Sequence, residues 1–323
     1  MATDPDPDRS VLVTGAGGYL GRQLVEALAE VAIPTIVALD VRAEPVGQRV
    51  DGVTYCARDI RDPELAGVLR AHAVDTVVHL AAIVTPGKNS SRELQHSIDV
   101  AGTENVVRAC IDAGVGQIVV TSSGAAYGYH ADNPVPLSET DPLRGNPEFA
   151  YSDHKRQVEE MLALARVAHP QLHQLVFRPG AILGATTHNQ ITDLFEKRIV
   201  LGVAGSDAPF TFVSDRDVVA CLVKGVLERA CGIFNVAGDG VTTMPEIARS
   251  LGKPYLPVPG WFIRAVLAVL HPLHLSQYGP EQVDFLRHRP VLANTRLKEE
   301  FGYTPQLSST EVFEHYRAAH GHA

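Results

Sequence analysis

Short runs of β-branched and apolar residues alternate with longer helical patterns through the first half of the chain. Runs that are apolar on both faces, with helices between them, are typical of a parallel sheet covered by helices on each side. The predicted strands are 10–15, 35–40, 53–60, 76–82, 117–123 and 173–180, and the predicted helices are 19–31, 63–72, 99–113 and 148–169. The pattern therefore predicts an α/β fold with a Rossmann-like doubly wound parallel sheet.

The alternation breaks after about residue 180, where Pro and Gly become frequent and strand patterns occur only at 209–213 and 232–236. We expect a main domain at 1–180 with a return segment near 210–240, and a smaller C-terminal substrate-binding lobe at 181–323. The nearly apolar segment 261–270 predicts a helix buried in that lobe. The alternatives for this segment are a lid over an apolar substrate and a contact with a membrane surface.

Composition and charge exclude several classes of protein. The 323 residues carry a formal net charge of −9 with no basic run, which argues against a nucleic-acid partner. The four cysteines form no CxxC pair and the N-terminus lacks the pattern of a signal peptide, so we expect a cytoplasmic protein with free thiols. No apolar stretch is long enough to span a bilayer, and the histidines show no metal-ligand spacing.

A glycine-rich turn joins the first predicted strand to the first predicted helix. Gly15, Gly18 and Gly21 follow the spacing Gly-x-x-Gly-x-x-Gly, and Tyr19 and Leu20 open the helix. Backbone amides at such a turn face an anion, and the helix N-terminus adds its positive dipole end. The turn therefore predicts binding of the pyrophosphate of a dinucleotide.

An acidic residue at the end of the second strand selects the cofactor. Asp40 lies nineteen residues beyond Gly21, where a carboxylate accepts hydrogen bonds from the adenosine ribose and repels a 2′-phosphate. NAD is therefore favoured over NADP, and residues 1–180 become the expected NAD-binding domain. Arg42 leaves the alternative open, because it would suit either a phosphate or the solvated surface.

Two further strand ends contribute expected cofactor contacts. Asp59 could accept a hydrogen bond from the adenine amino group while Ile60 flanks the base, or Asp59 could begin a loop or cap a helix. After the fourth strand, three small or apolar residues would let the backbone approach the cofactor; these are Leu80, Ala81 and Ala82. His79 before them is expected to be a packed core histidine.

Tyr151 and Lys155 place a phenol and an ammonium one helical turn apart on the same helix face. A nearby positive charge favours the phenolate, so we expect Lys155 to lower the pKa of Tyr151 and make it a proton acceptor. Ser123 closes the fifth strand, on the sheet edge where such folds bind ligands, and would hold the substrate oxygen. Ser122 is the competing candidate for that role.

Together these motifs resemble the extended short-chain dehydrogenase/reductase family, also called the NAD-dependent epimerase/dehydratase family. The matching segments are TGAGGYLG at 14–21, ALD at 38–40, RDI at 58–60, HLAA at 79–82, VTSSGAAYG at 120–128, YSDHK at 151–155, RPGAILG at 178–184 and FVSDRDVV at 212–219. The resemblance implies that Ser123, Tyr151 and Lys155 are catalytic and that Pro179 and Ile182 border the nicotinamide. It also implies a homodimer built from the helices near 99–113 and 148–169.

Departures from the family pattern narrow the expected chemistry. Dehydratases of this family carry an Asp-Glu pair directly after the catalytic hydroxyl, whereas Gly124 and Ala125 stand here and have no proton to give. The Asn that sugar-nucleotide epimerases place shortly after the Arg corresponding to Arg178 is also missing. Asp99 replaces an Asn usual in the family. Because Gly124 and Ala125 have no proton to give, elimination of water is not expected.

We expect an NAD-dependent oxidoreductase that oxidises a secondary alcohol or reduces a ketone, on a small molecule that is apolar or sterol-like. Ser123, Ala125 and Tyr151 are the expected substrate contacts. The first alternative is an NDP-sugar 4-epimerase, such as a UDP-sugar epimerase, in which tightly bound NAD is reduced and reoxidised within one turnover. The second is a catalytically silent protein that senses NAD.

Overall fold

The computed structural model describes residues 9–87, 90–270, 272–273, 279–280 and 282–321. Within these residues the strands are β1 (Ser10–Thr14), β2 (Thr35–Asp40), β3 (Val53–Ala57), β4 (Thr76–His79), β5 (Gln117–Thr121), β6 (His173–Pro179), β7 (Ala181–Leu183), β8 (Val200–Val203), β9 (Phe212–Ser214), β10 (Gly232–Val236) and β11 (Tyr255–Val258).

Seven of these strands form one parallel sheet in the order β3-β2-β1-β4-β5-β6-β10. The strand order reverses between β1 and β4, and ligands of open parallel sheets bind in the crevice at such a switch point. The prediction of a Rossmann-like doubly wound sheet is confirmed. β10 pairs with β6, so the segment at 232–236 returns to the main sheet.

Helices cover both faces of the sheet and build the lobe. They are α1 (Tyr19–Glu30), α2 (Leu65–Ala71), α3 (Arg92–His96), α4 (Thr103–Ala113), α5 (Ala150–Ala168), α6 (Thr192–Phe195), α7 (Asp215–Leu227), α8 (Met244–Ser250), α9 (Gly260–Leu270), α10 (Gln282–Arg287), α11 (Thr295–Glu299) and α12 (Ser309–Ala319). A π-helix (Ser97–Gly102) links α3 to α4, and 3₁₀-helices lie at Val46–Gln48 and Gly124–Tyr127.

The central strand shows why the sheet is covered on both sides. Val11 and Val13 belong to a core layer with residues of α1 and α7, while Leu12 between them belongs to the opposite layer with residues of α2, α4 and α5. All three side chains are fully buried, and burial of each stabilises the fold by roughly 1.5–3 kcal/mol. Strand alternation therefore sends consecutive apolar residues to two cores.

Several elements end sooner than predicted at the edge where the strands finish. β5 stops at Thr121 rather than 123, because Ser123 caps the following 3₁₀-helix by accepting a hydrogen bond from the Ala125 amide at 3.1 Å. β4 stops at His79 rather than 82. The residues beyond these strands are thus free to line a cleft.

The lobe has its own aromatic core and two small parallel sheets, β7 with β9 and β8 with β11. Its buried rings pack against one another; they are Phe195, Phe210, Phe212, Phe313 and Tyr316. This core lies beyond the carboxyl edge of the main sheet, since β7 follows β6 directly.

The apolar segment at 261–270 forms a helix as predicted, but none of its residues is buried. Trp261 is 72% exposed and Val269 is 59% exposed. The expectation of a buried lobe helix is wrong, because α9 lies at the surface beside α10, with an ion pair from Arg264 to Asp284 at 2.6 Å. None of the helices in the described part of the chain combines the length and apolar character needed to cross a bilayer.

Candidate active site

A cavity of about 1100 Å³ opens at the carboxyl edge of the sheet, between the main domain and the lobe. Its walls come from the glycine turn, the ends of β4 to β6, the start of α5 and the lobe segments 186–191 and 209–211. Sites for one drug-sized ligand are typically about 300–1,000 Å³. This cavity therefore has room for a cofactor and a substrate together.

The glycine turn allows backbone to approach closely on two sides. Gly15 has a φ of +69°, and a Cβ there would lie 2.7 Å from the Ala81 amide nitrogen. A Cβ on Gly21 would collide with the carbonyl oxygen of Gly15 and with the backbone of Ala16. Gly18 precedes α1 in extended conformation, and no side chain caps the helix. The free amides at this helix start thus fit the pyrophosphate predicted there.

The expected ribose-binding carboxylate is held in place by backbone. Asp40 accepts hydrogen bonds from the Gly17 amide at 3.1 Å and from the Arg42 amide at 3.0 Å. A second carboxylate, Glu44, lies beside it, buried and paired with Arg22 at 2.9 Å. The Arg42 side chain is exposed at the rim of a small cavity next to Asp40. Two adjacent carboxylates disfavour the 2′-phosphate of NADP, a point that sequence reasoning drew from Asp40 alone.

The structure does not bring Asp59 and Ile60 into either cavity. The Asp59 carboxylate is occupied by the Arg61 guanidinium at 2.6 Å and by the Arg61 amide at 2.8 Å. Ile60 is buried against Gly102, where an added Cβ would lie 2.6 Å from the Ile60 side chain. The loop-starting interpretation of Asp59 fits this geometry better than the adenine contact.

The residues after β4 lie where the sequence predicts them, next to the cavity. Leu80 and Ala82 line the large cavity, and Ala81 contacts Gly15 through its backbone. The His79 ring is buried, with Nδ1 2.7 Å from the Thr14 hydroxyl. Burial, and secondarily the charge of Lys155, lowers the pKa of His79 to about 3, so the ring is neutral. The prediction that His79 is packed in the core is confirmed.

Ser123, Tyr151 and Lys155 all line the large cavity. The Lys155 Nζ donates to the carbonyl oxygen of Thr121 at 2.9 Å and lies 5.8 Å from the centre of the Tyr151 ring. The Ser152 hydroxyl donates to the Ala125 carbonyl at 2.7 Å, which ties the start of α5 to the turn after β5. The three predicted catalytic groups therefore stand together on rigid elements.

The two neighbouring serines after β5 have different roles in the structure. The Ser122 hydroxyl is buried and donates to the Glu159 carboxylate at 2.5 Å. The same carboxylate binds the Arg178 guanidinium at 2.6 Å, so Ser122 belongs to a buried polar network. Ser123 keeps its hydroxyl on the cavity side, with the Ala125 amide as donor to its oxygen. The geometry selects Ser123 over Ser122 for holding a substrate oxygen.

The pKa of Tyr151 is raised rather than lowered, contrary to expectation. Burial is the main cause, the hydrogen bond with Ser123 acts in the opposite direction, and the charge of Asp99 raises the pKa further. Burial also lowers the pKa of Lys155. The protein alone thus holds Tyr151 as a phenol.

The remaining predicted residues of the site lie along the cavity wall. Pro179 and Ile182 line it where β6 passes into β7, and Ala125 lines it beside Ser123. Tyr19 also lines it, but its hydroxyl donates to Asp215 at 2.5 Å. This bond ties the start of α1 to α7 and leaves only the ring of Tyr19 for a ligand.

An arginine that sequence reasoning missed lies in the wall contributed by the lobe. The Arg289 guanidinium carbon lies 3.9 Å from the ring centre of Phe210 and 4.2 Å from that of Phe285. Its Nε and one terminal nitrogen are buried and have no hydrogen-bond partner among the described residues. Burial lowers the pKa of Arg289 to about 10, so it stays charged at neutral pH. A cation with buried nitrogens and no paired carboxylate among the described residues suits an anionic group on a ligand.

The other missed wall residues are aromatic and surround the same region. Tyr129, Phe149 and Phe285 form edge-on and tilted ring contacts with centres 5.0–5.6 Å apart. These residues come from separate loops and from α10, and no regular spacing marks them in the sequence. The described residues contain no group of three or more His, Cys, Asp or Glu side chains that could hold a metal ion.

Comparison with known proteins places this site in a family. An uncharacterized protein of Mycobacterium tuberculosis is 26% identical over 321 residues, which cover 98% of this chain and 85% of that protein. The UDP-glucose 4-epimerase of Azospirillum brasilense is 32% identical over 177 residues, or 54% of this chain and 49% of that enzyme. The Thermus thermophilus UDP-glucose 4-epimerase, solved with NAD, has the same fold, with a TM-score of 0.72 and 23% identity, and the match covers 96% of this chain and 99% of that one.

The family model described as NAD dependent epimerase/dehydratase family matches residues 11–224, which span the glycine turn, Ser123, Tyr151 and Lys155. The predicted resemblance is confirmed. This chain belongs to the NAD-dependent epimerase/dehydratase family.

Proposed function

We propose that this protein is an NAD-dependent oxidoreductase that removes hydride from the carbon of a secondary alcohol on a substrate with an anionic group. The single observation that carries the proposal is the cavity shared by Ser123, Tyr151 and Lys155 on one side and Arg289 on the other, whose Nε and one terminal nitrogen have no hydrogen-bond partner among the described residues. Catalytic groups and an anion receptor thus face one space. An apolar, sterol-like substrate would leave the Arg289 charge without a partner, so the anionic substrate is favoured.

The protein groups divide the work of the reaction. Ser123 holds the substrate oxygen, and Tyr151 takes the hydroxyl proton as the carbon–hydrogen bond breaks. Lys155, fixed by the Thr121 carbonyl, keeps a positive charge beside the phenol. The glycine turn and Asp40 would hold NAD⁺, which when bound would supply the hydride acceptor and a positive charge that opposes the raised pKa of Tyr151.

A second candidate is supported by the same arginine. In an NDP-sugar 4-epimerase the diphosphate would lie against Arg289, and the hydride would return to the same substrate. The Azospirillum brasilense relative is a UDP-glucose 4-epimerase. This candidate predicts tightly retained NAD and no net redox change, whereas the dehydrogenase predicts NADH accumulation.

The test begins with mass spectrometry of small molecules carried through purification, followed by incubation with NAD and secondary alcohols that carry phosphate, diphosphate or carboxylate groups. NADH formation that is lost in Tyr151→Phe supports the dehydrogenase; loss of about 10²–10⁴ in rate is expected for a proton-transfer residue. Interconversion of two sugar nucleotides without NADH supports the epimerase. If neither NADH nor an interconverted sugar nucleotide forms from any of these substrates, the proposed function is contradicted.

A further inference from the structure

An exposed apolar surface lies on the lobe, where β8 pairs with β11 and α9 follows. Leu201 and Leu256 are register partners in these two strands, and they are 54% and 49% exposed. Gly260, the first residue of α9, sits against Val203, since a Cβ there would lie 3.3 Å from the Val203 side chain. Alternate residues of a strand share a face, so α9 begins on the face that Leu201 also occupies. The strand pair and the helix therefore form one continuous surface.

The helix α9 is apolar on its outer side as well as on its inner side. Ile263, Leu267 and Leu270 follow helical spacing and are half-buried, so they face the lobe. The outer side carries a single charge, Arg264, which pairs with Asp284 of α10 at 2.6 Å. We call the exposed apolar residues the α9 surface; they are Leu201, Leu256, Trp261, Phe262, Val266 and Val269. Contiguous exposed apolar residues of this kind mark interaction sites.

Basic residues flank the α9 surface, although the chain as a whole is acidic, with a net charge of −9. Segments 197–203 and 247–273, which contain the surface, hold five Lys or Arg residues and no Asp or Glu. Lys197 and Arg198 are exposed just before Ile199, itself an exposed apolar residue, and β8. Local positive charge beside apolar side chains suits a partner that is negative at its surface and apolar beneath it.

A second copy of this chain fits the α9 surface less well than a lipid bilayer does. In a two-fold dimer the same surface would face itself, which would bring the basic residues of both copies together. A bilayer with anionic headgroups instead offers negative charge to the basic residues and hydrocarbon to the apolar ones. Trp261, the only tryptophan in the sequence, is 72% exposed on this surface, and tryptophan is enriched at membrane–water interfaces.

We propose that the α9 surface binds an anionic phospholipid bilayer, as an interfacial contact that does not span the membrane. The side chains of Trp261 and Val269 enter the boundary between headgroups and acyl chains, while Arg198 contacts the lipid phosphates. Pro272, two residues after α9, and Phe285 of α10 both line the large cavity. The bound protein therefore holds this cavity next to the lipid headgroups. The inference goes beyond the proposed function and does not depend on it.

Trp261 reports binding directly, because all tryptophan emission of the protein comes from it. The full chain is titrated with vesicles of phosphatidylcholine alone and of phosphatidylcholine mixed with phosphatidylglycerol. We expect the anionic vesicles to move the emission to shorter wavelength, and lipids brominated on their acyl chains to quench it. The neutral vesicles, or the anionic ones at high salt, should change it much less. Unchanged emission with anionic vesicles overturns the proposal, and so does a shift that grows with protein concentration without lipid, because a second copy then covers the surface.

Substitutions at exposed positions separate the apolar contribution from the charged one, with vesicle sedimentation as the measurement. Val269→Glu should lower the partition coefficient for anionic vesicles about tenfold, whereas Val46→Glu, at an 80% exposed position after β2, adds the same charge elsewhere and should leave it nearly unchanged. Arg198→Gln should lower it roughly fivefold, and Arg70→Gln, exposed on α2, should not. Equal binding by Val269→Glu and wild type would overturn the proposal. Circular dichroism checks folding, and the wild-type emission decides the proposal if a variant does not fold.

Discussion

Replacement of Arg289 with methionine should stabilise the substrate-free protein while it weakens anion binding. Methionine is of similar length and fills the space between Phe210 and Phe285 without a charge. Burial lowers the pKa of Arg289 to about 10. Because one pKa unit corresponds to about 1.4 kcal/mol, burial makes the charged guanidinium roughly 3 kcal/mol less stable in the folded protein than in water.

The substitution also removes favourable contacts, so only part of this roughly 3 kcal/mol is recovered as stability. The guanidinium stacks on two rings, and each such contact contributes about 0.5–1 kcal/mol. The expected net rise in the free energy of unfolding is therefore about 1–2 kcal/mol, which calorimetry would record as an increase of a few degrees in Tm. Because the group is a base with a lowered pKa, its destabilising effect is fully present at every pH below about 10.

The affinity of the Arg289→Met variant for anions should fall, although its stability rises. Loss of one partner of a buried charge pair costs about 2–5 kcal/mol, so the affinity for an anion in the cavity should fall at least about thirtyfold. Isothermal titration with UDP and with inorganic diphosphate measures this change. Arg249→Met is the matched control, because Arg249 is exposed on α8 away from the cavity, and neither Tm nor affinity should change. An Arg289→Met variant that is no more stable and binds these anions as wild type does would refute the reasoning.

Three further predictions concern the cofactor turn, its selectivity and assembly. Asp40→Asn removes a carboxylate from the ribose site, so titration calorimetry should show the preference for NAD over NADP reduced about tenfold. Gly21→Ala places a Cβ against the phosphate-binding turn, so it should lower the free energy of unfolding by about 1–3 kcal/mol and weaken NAD binding. Gly67→Ala in α2 is the control: a Cβ there has space around it, so thermal denaturation should show no loss of stability. We expect a homodimer through α4 and α5, so charging the exposed Leu164 and Val167 (74% and 84% exposed) with Glu should yield a monomer by light scattering; an unchanged mass would contradict this interface.

The parts of the site that the sequence predicts depend on short-range geometry. Tyr151 and Lys155 share a helix face because four residues complete about one turn. Gly15 and Asp40 lie at the same edge of the sheet because all its parallel strands end there. The position of each residue in the site is therefore predicted by the strand pattern next to it. The seven-residue glycine spacing carries its own backbone requirement, which Gly21 shows by the collision that a side chain would cause.

The parts that escape prediction depend on contacts between distant segments. Arg289 becomes significant only because Phe210 lies on its guanidinium and no carboxylate of the described residues pairs with it, and neither fact has a local signal in the sequence. Asp59 follows a strand much as Asp40 does, yet it turns to Arg61 two residues away. The apolar pattern at α9 predicts the helix correctly, but an amphipathicity argument cannot say that its surface stays exposed.

The paired serines after β5 have a consequence for how this site tolerates change. Side chains along an extended chain alternate sides, so Ser122 serves the buried network while Ser123 serves the cavity. A one-residue slip that brings Thr121 into the buried position and Ser122 into the cavity position would still leave a hydroxyl on each side, whereas the opposite slip would put Gly124 in the cavity position. The run of hydroxyl residues therefore tolerates a register shift in one direction only. Replacement of Ser122 should affect folding, and replacement of Ser123 should affect turnover.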